Sequence, residues 1–175
     1  MALTYTTIAS TSVPSGGVSN IEFTAIPNTY TDLVIRWSLR STEANDFTDQ
    51  GFRVTFNNTT TGYDNQLLYG SSGTAGTASN TNIADIRWVY GNGANSTADT
   101  FAIGEMYISN YASGRVKSIG TDSFTETNNS GNGIRALTAA FWNNTSAISS
   151  IKLAAATGTW VQHSSATLYG IKNTV

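Results

Sequence analysis

The sequence predicts an all-β fold, an antiparallel sandwich or barrel of about ten strands. Three observations carry this. Apolar residues recur at every second position in the clearest segments. Clusters of Gly, Asn and Pro separate those segments at intervals of roughly ten to fifteen residues. No segment shows a sustained period of 3.6, and Arg135 to Trp142, which contains good helix formers, is too short to compete. At 175 residues, with no change of composition along its length, the chain reads as one domain spanning 1–175.

In Thr31–Arg40, Leu33, Ile35, Trp37 and Leu39 share one face, while Asp32, Arg36, Ser38 and Arg40 share the other, with Val34 out of pattern. Such alternation marks a half-buried strand. Gly51–Asn57 repeats it with Phe52, Val54 and Phe56, and Ile83–Tyr90 with Ile86, Trp88 and Tyr90. Further strands are expected at Leu3–Ala9, Val18–Ile26, Tyr63–Tyr69, Thr100–Ser109, Arg115–Phe124, Gly133–Trp142, Ile148–Ala155 and Ala166–Lys172. Gly104 and Gly120 fall where alternation changes phase, which predicts β-bulges there. Turns are expected at Pro14–Gly17, Pro27-Asn28, Asn57–Gly62, Gly91–Gly93 and Asn128–Gly133. Gly70 to Asn82, rich in Gly, Ser, Thr, Ala and Asn, reads as a surface loop.

Charge is scarce: 11% of residues are Asp, Glu, Lys or Arg, while Thr, Ser and Asn number 27, 20 and 17. A formal charge of −2 excludes a nucleic-acid binder that works by neutralising phosphates. With no cysteine, neither a disulfide framework nor a thiolate metal site exists. The first residues, MALTYTTIASTSVPS, lack a basic segment followed by an apolar run, so no targeting signal is read. No run approaches the ~18 apolar residues of a membrane span.

Chemistry-bearing residues are few. His163 is the single histidine and adjoins Ser164 and Ser165. Neighbours on a strand point to opposite faces, and no G-x-S-x-G motif occurs, so a nucleophilic triad is not expected. Glu43, Asp46 and Asp49 place three carboxylates within Glu43–Gln50. The spacing of Asp46, Thr48, Gln50 and Gly51 loosely echoes a calcium loop, but Asn57 stands where the loop needs glutamate, and a solvated loop is the alternative. Glu105 interrupts the apolar segment Phe101–Ile108; it is either a catalytic acid or the partner of Arg36, Arg87 or Arg115, and the ion pair is preferred. Trp160, Trp88 and Tyr90 are the candidates for a ligand-stacking platform, although Trp37 and Trp88 lie in phase with core aliphatics. No catalytic residue, cofactor or metal is expected.

The C-terminal third carries a pattern: Ala147-Ile148-Ser149-Ser150-Ile151-Lys152-Leu153, then Gly158-Thr159-Trp160, then Ser164 or Ser165, then Thr167-Leu168-Tyr169-Gly170-Ile171. It resembles a family of virion proteins of tailed bacteriophages that end in an LYGI strand. Phe23-Thr24-Ala25-Ile26-Pro27, Tyr30-Thr31-Asp32-Leu33-Val34-Ile35 and Ile108-Ser109-Asn110-Tyr111 fit the same family. His163-Ser164 departs from its usual Gly-Ser before the last strand. The resemblance implies a jelly-roll-like antiparallel β-sandwich and a structural part of the virion. It leads to two expectations. The first is a capsid decoration (cement) protein bound to the major capsid protein or other virion proteins, assembled in the host cytoplasm as a homo-oligomer, with a trimer preferred. The second is a receptor-recognition module of a tail fibre or spike that binds a host surface glycan. Neither involves nucleic acid or a membrane. A charge-poor surface suits burial in polar contacts, and few lysines and no strand prolines leave sheet edges weakly defended.

Overall fold

A computed structural model describes residues 4–47, 51–128 and 133–172. It is all β, as the sequence predicts. Twelve strands follow one another: β1 (Thr4–Ser12), β2 (Asn20–Phe23), β3 (Asp32–Leu39), β4 (Phe52–Phe56), β5 (Tyr63–Ser71), β6 (Thr74–Ile83), β7 (Ile86–Val89), β8 (Ala102–Ile108), β9 (Lys117–Phe124), β10 (Ile134–Trp142), β11 (Ile151–Ala154) and β12 (Ser165–Lys172). They form an antiparallel eight-stranded sheet in the order β1-β12-β3-β8-β9-β10-β5-β6 and a four-stranded sheet in the order β2-β11-β4-β7. Four antiparallel pairs nest within one another: β1 with β12, β2 with β11, β3 with β8, and β4 with β7. Successive pairs alternate between sheets, which is the jelly-roll arrangement of a ribbon wrapped around one core. The hairpins β5–β6 and β9–β10 are additions to that plan, and both extend the large sheet on one side.

The core lies between the sheets. Leu33, Ile35, Trp37 and Leu39 are all buried there, so the alternation in β3 places them as expected. Edge-on rings run through the middle: Trp37 meets Phe52, Phe52 meets Trp160, and Phe56 meets Trp142, with centroids 5.4, 5.4 and 5.5 Å apart. A second cluster of Leu67, Trp88, Tyr90, Ile134 and Ala136 fastens β5 and β10 onto β7 and the segment after it.

Four expectations need correction. Gly70 to Asn82 is not a loop, because β6 occupies most of it. Ser71 pairs with Thr74 around Ser72 (φ 50°) and Gly73 (φ 76°), the two positive φ values of a tight hairpin turn. Its residues are small and polar because β6 is an edge strand that covers little core. Gly104 and Gly120 are not at bulges, since the registers of β8 and β9 run through both unbroken. The irregularities lie instead at Thr7/Ala9, Phe52/Val54 and Tyr63/Asn65. Asp32 and Val34 are buried although they point to the outer face of the large sheet, because Tyr107, hydrogen-bonded to Asp32, helps cover that face. Finally, the strands number twelve rather than about ten.

Candidate functional site

The outer face of the large sheet concentrates the unusual features. Tyr5, Leu68, Ile103, Tyr107, Phe124, Leu137 and Phe141 are all large, exposed and on this face. Registers across β8, β9, β10, β5 and β6 align outward residues in rows. One row runs Tyr107, Gly120, Ala139, Gln66, Ser79. The adjoining row runs Arg36, Glu105, Asp122, Leu137, Leu68, Thr77. Between them lies a groove of about 840 Å³, well within the size range of small-molecule sites. Its floor is Gly120 and Ala139. Leu137 and Leu68 form an apolar wall, Tyr107 stands at one end, and Glu105, Asp122 and Gln66 supply polar groups.

Charge in the groove is organised. Glu105 and Asp122 are directly opposed across β8 and β9, a like-charge pairing that costs stability in a sheet. Arg36 offsets it: its Nε donates to Glu105 Oε2 at 2.6 Å, and Glu105 N donates to Asp122 Oδ1 at 3.0 Å. The guanidinium also lies 5.5 Å from the Tyr5 ring centroid and 6.0 Å from that of Tyr169. The hydrogen bond to Glu105 and its charge raise the Arg36 pKa further. Glu105 is thus the ion-paired carboxylate the sequence favours, and of the three candidate arginines its partner is Arg36. Tyr107 donates to Asp32 Oδ2 at 2.5 Å, and Asn110 N donates to Asp32 Oδ1 at 2.7 Å. Burial, reinforced by that carboxylate, pushes the Tyr107 phenol up to about 12.

The three aromatic candidates read from the sequence lie elsewhere, inside the protein. Trp160 is fully buried; its Nε1 donates to Leu153 O at 3.1 Å, and its backbone bridges Val18 and Ser41. Trp88 and Tyr90 belong to the second core cluster. Trp88 has φ 60°, and its carbonyl accepts from Thr138 Oγ1 at 2.9 Å. None of the three presents a ring to solvent.

His163 is an exposed turn residue with φ 72°. The Ser164 hydroxyl is buried and committed to the backbone of Arg40, accepting from its N at 3.1 Å and donating to its O at 3.0 Å. Glu43 is buried and accepts from Asn45 Nδ2 at 3.0 Å. The Asp46 carbonyl accepts from Gly93 N at 3.1 Å, and Asp49 lies outside the described residues. Among the described residues, no three of His, Cys, Asp and Glu are grouped so as to hold a metal ion. No helix among them is long and apolar enough to cross a membrane.

Sequence reasoning singled out Glu105 and Gly120 but missed Asp122, Tyr107, Leu68 and Leu137 as neighbours. One signal pointed to Leu137. In Ile134–Trp142 the outward phase holds Leu137, Ala139 and Phe141, so both faces of that strand are apolar. Compared with models of known protein families the chain matches none, and a search of curated proteins also returns no match.

Proposed function

We propose that this chain is a non-enzymatic structural protein of a tailed-phage virion. It decorates the head and assembles as a homo-oligomer through the edges of its large sheet. One contrast carries the reading. The edges of the small sheet, β2 and β7, are four residues long and each holds a charge, Glu22 and Arg87. The edges of the large sheet, β1 and β6, are nine and ten residues long and contain no charged residue and no proline. Exposed edges of that length are templates for pairing unless charge, proline or bulges blunt them. β1 has such a device near its middle, the irregularity at Thr7/Ala9, and β6 has one only at its end, between Asn80 and Ile83. Because β1 and β6 lie at opposite ends of one sheet, pairing the β1 of one copy with the β6 of the next is head-to-tail. Such contacts close into a ring when the rotation between copies allows it and otherwise run on as a filament; a trimeric ring is the preferred form.

The resemblance to tailed-phage virion proteins and the jelly-roll plan support the same reading. So does the use of Glu105, whose carboxylate is engaged by Arg36. The second reading, a receptor-recognition module of a tail fibre or spike, draws on the groove, where exposed Tyr107 stands near Asp122. Cryo-electron microscopy of purified particles of the phage that encodes this chain tests both. The first expects the jelly roll at repeated positions on the head, with β1 and β6 in contacts between copies. The second expects it at fibre tips. Absence from the particle overturns both.

A further inference from the structure

Strand glycines in this fold divide by face: those turned to the inside are covered by a ring, and those on the outer face of the large sheet are open. A Cβ at Gly104 would overlap the indole of Trp37, one at Gly170 the ring of Tyr30, and one at Gly76 the ring of Tyr69. Each of those glycines is required because an aromatic ring of the chain occupies the place its Cβ would take. Gly70 stands close to the β5–β6 turn, where its Cβ would come no nearer than 4.0 Å to Thr74 O. Gly120 is different. It lies in the middle of β9, paired on both sides, with no positive φ and nothing within 4 Å of the place its Cβ would take. Neither backbone conformation nor internal packing calls for glycine there, and glycine weakens a strand interior. What Gly120 does is leave open the floor of the groove.

From this we infer that the groove over Gly120 binds a neutral oligosaccharide, one sugar ring lying on Gly120 and Ala139 between Tyr107 and Leu137. Gly120 carries no side chain and Ala139 only a methyl, so the floor beside Tyr107 and Leu137 is open to a ring. The surroundings select a sugar rather than an aromatic side chain of a partner protein. A phenyl ring would strip water from Asp122 and Gln66 and return no hydrogen bond, which is costly, and a phenol or indole returns only one donor, where a sugar returns several. Sugar hydroxyls donate to carboxylates, and the C–H face of a pyranose suits Tyr107, Leu137 and the small floor. Asp122 is equipped for this: Oδ1 takes the Glu105 amide, and among the described residues Oδ2 has no partner. Charge selects further. Glu105 and Asp122 outweigh Arg36, which Glu105 already neutralises, so sialylated or phosphorylated glycans are repelled.

The added hairpins explain why the groove exists. The nested pairs alone complete a jelly roll, and the groove is built by β9, β10, β5 and β6 against β8. The inference is independent of assembly through the sheet edges and is compatible with a position on head or fibre.

The test is an array of immobilised neutral hexose oligosaccharides beside sialylated and phosphorylated ones, with calorimetric titration of the best binder. The intact chain is compared with Gly120→Val and Asp122→Asn. The chain binds neutral glycans; Gly120→Val, whose Cβ meets nothing within 4 Å and whose branches fill the floor, abolishes binding while melting no lower than the parent. Asp122→Asn weakens binding by about tenfold or more, the loss of a charge-assisted hydrogen bond. Should Gly120→Val fail to fold, Asp122→Asn carries the test. No neutral glycan bound, a preference for acidic glycans, or undiminished binding by the folded variants overturns the inference. So does loss of association with phage shells in Gly120→Val when the parent binds no sugar, which would assign the floor to a protein side chain.

Discussion

The Tyr107 hydroxyl donates to the buried carboxylate of Asp32 at 2.5 Å, joining β8 to β3 across the outer face of the large sheet. The bond fixes the Tyr107 ring at the end of the groove and gives Asp32 the second of its two donors, after Asn110 N. Tyr107→Phe therefore leaves a buried carboxylate half-satisfied and is expected to cost about 1–3 kcal/mol in chemical denaturation.

The same pair sets a pH dependence. The folded Tyr107 pKa, about 12, lies above the ordinary 10.0. Its contribution to stability is thus complete below about pH 10 and is lost as pH rises towards 12. Burial raises Tyr63 and Tyr111 in the same direction. Ultraviolet titration of the folded protein should show a group of tyrosines ionising late, reduced by one in Tyr107→Phe. Ionisation of every tyrosine near pH 10 in the folded state would contradict this.

In β3, Leu33→Ala and Ile35→Ala each open a cavity in the main core and are expected to cost about 2–5 kcal/mol. Arg36→Ala, next to Ile35 in sequence, removes an exposed ion pair with Glu105 and is expected to cost less than about 1 kcal/mol. Equal costs at the three positions would show that the strand is registered differently.

Much of this fold was legible because period-two alternation is a direct image of a pleated strand with one wet face. It named the inward set of β3 and placed eleven strands close to their positions. Legibility failed where that premise failed. In β6 only Ile83, at its end, packs against the main core, so no alternation is written into the rest of the strand. Phase changes at Gly104 and Gly120 looked like bulges because a sequence does not say whether a glycine makes room for a ring or bends a strand. The groove was largely illegible. Its polar groups, Glu105, Asp122 and Gln66, come from three strands and meet only through registers. Tryptophans drew attention because of their size, yet they are buried for the same reason.

The contrast between glycines gives a stability prediction with opposite signs. Gly120→Val meets open space and a strand backbone that valine prefers, so it is expected to stabilise by up to about 1 kcal/mol. Gly104→Val would drive a side chain into Trp37 and the backbone of β9, and is expected to destabilise by about 1–3 kcal/mol or more. Thermal unfolding of the two variants beside the parent checks this.

The central claim is that the bare edges of the large sheet are assembly surfaces, and sedimentation equilibrium tests it most directly. The parent chain should sediment as a homo-oligomer, with three times the 18.6 kDa of one chain as the preferred mass. Ala75→Lys with Thr81→Lys places charge at two exposed positions of β6 and should yield a folded monomer at the same concentration. A parent chain that remains a monomer at every concentration, alone and with phage shells, would contradict the claim, as would a doubly substituted chain that assembles like the parent.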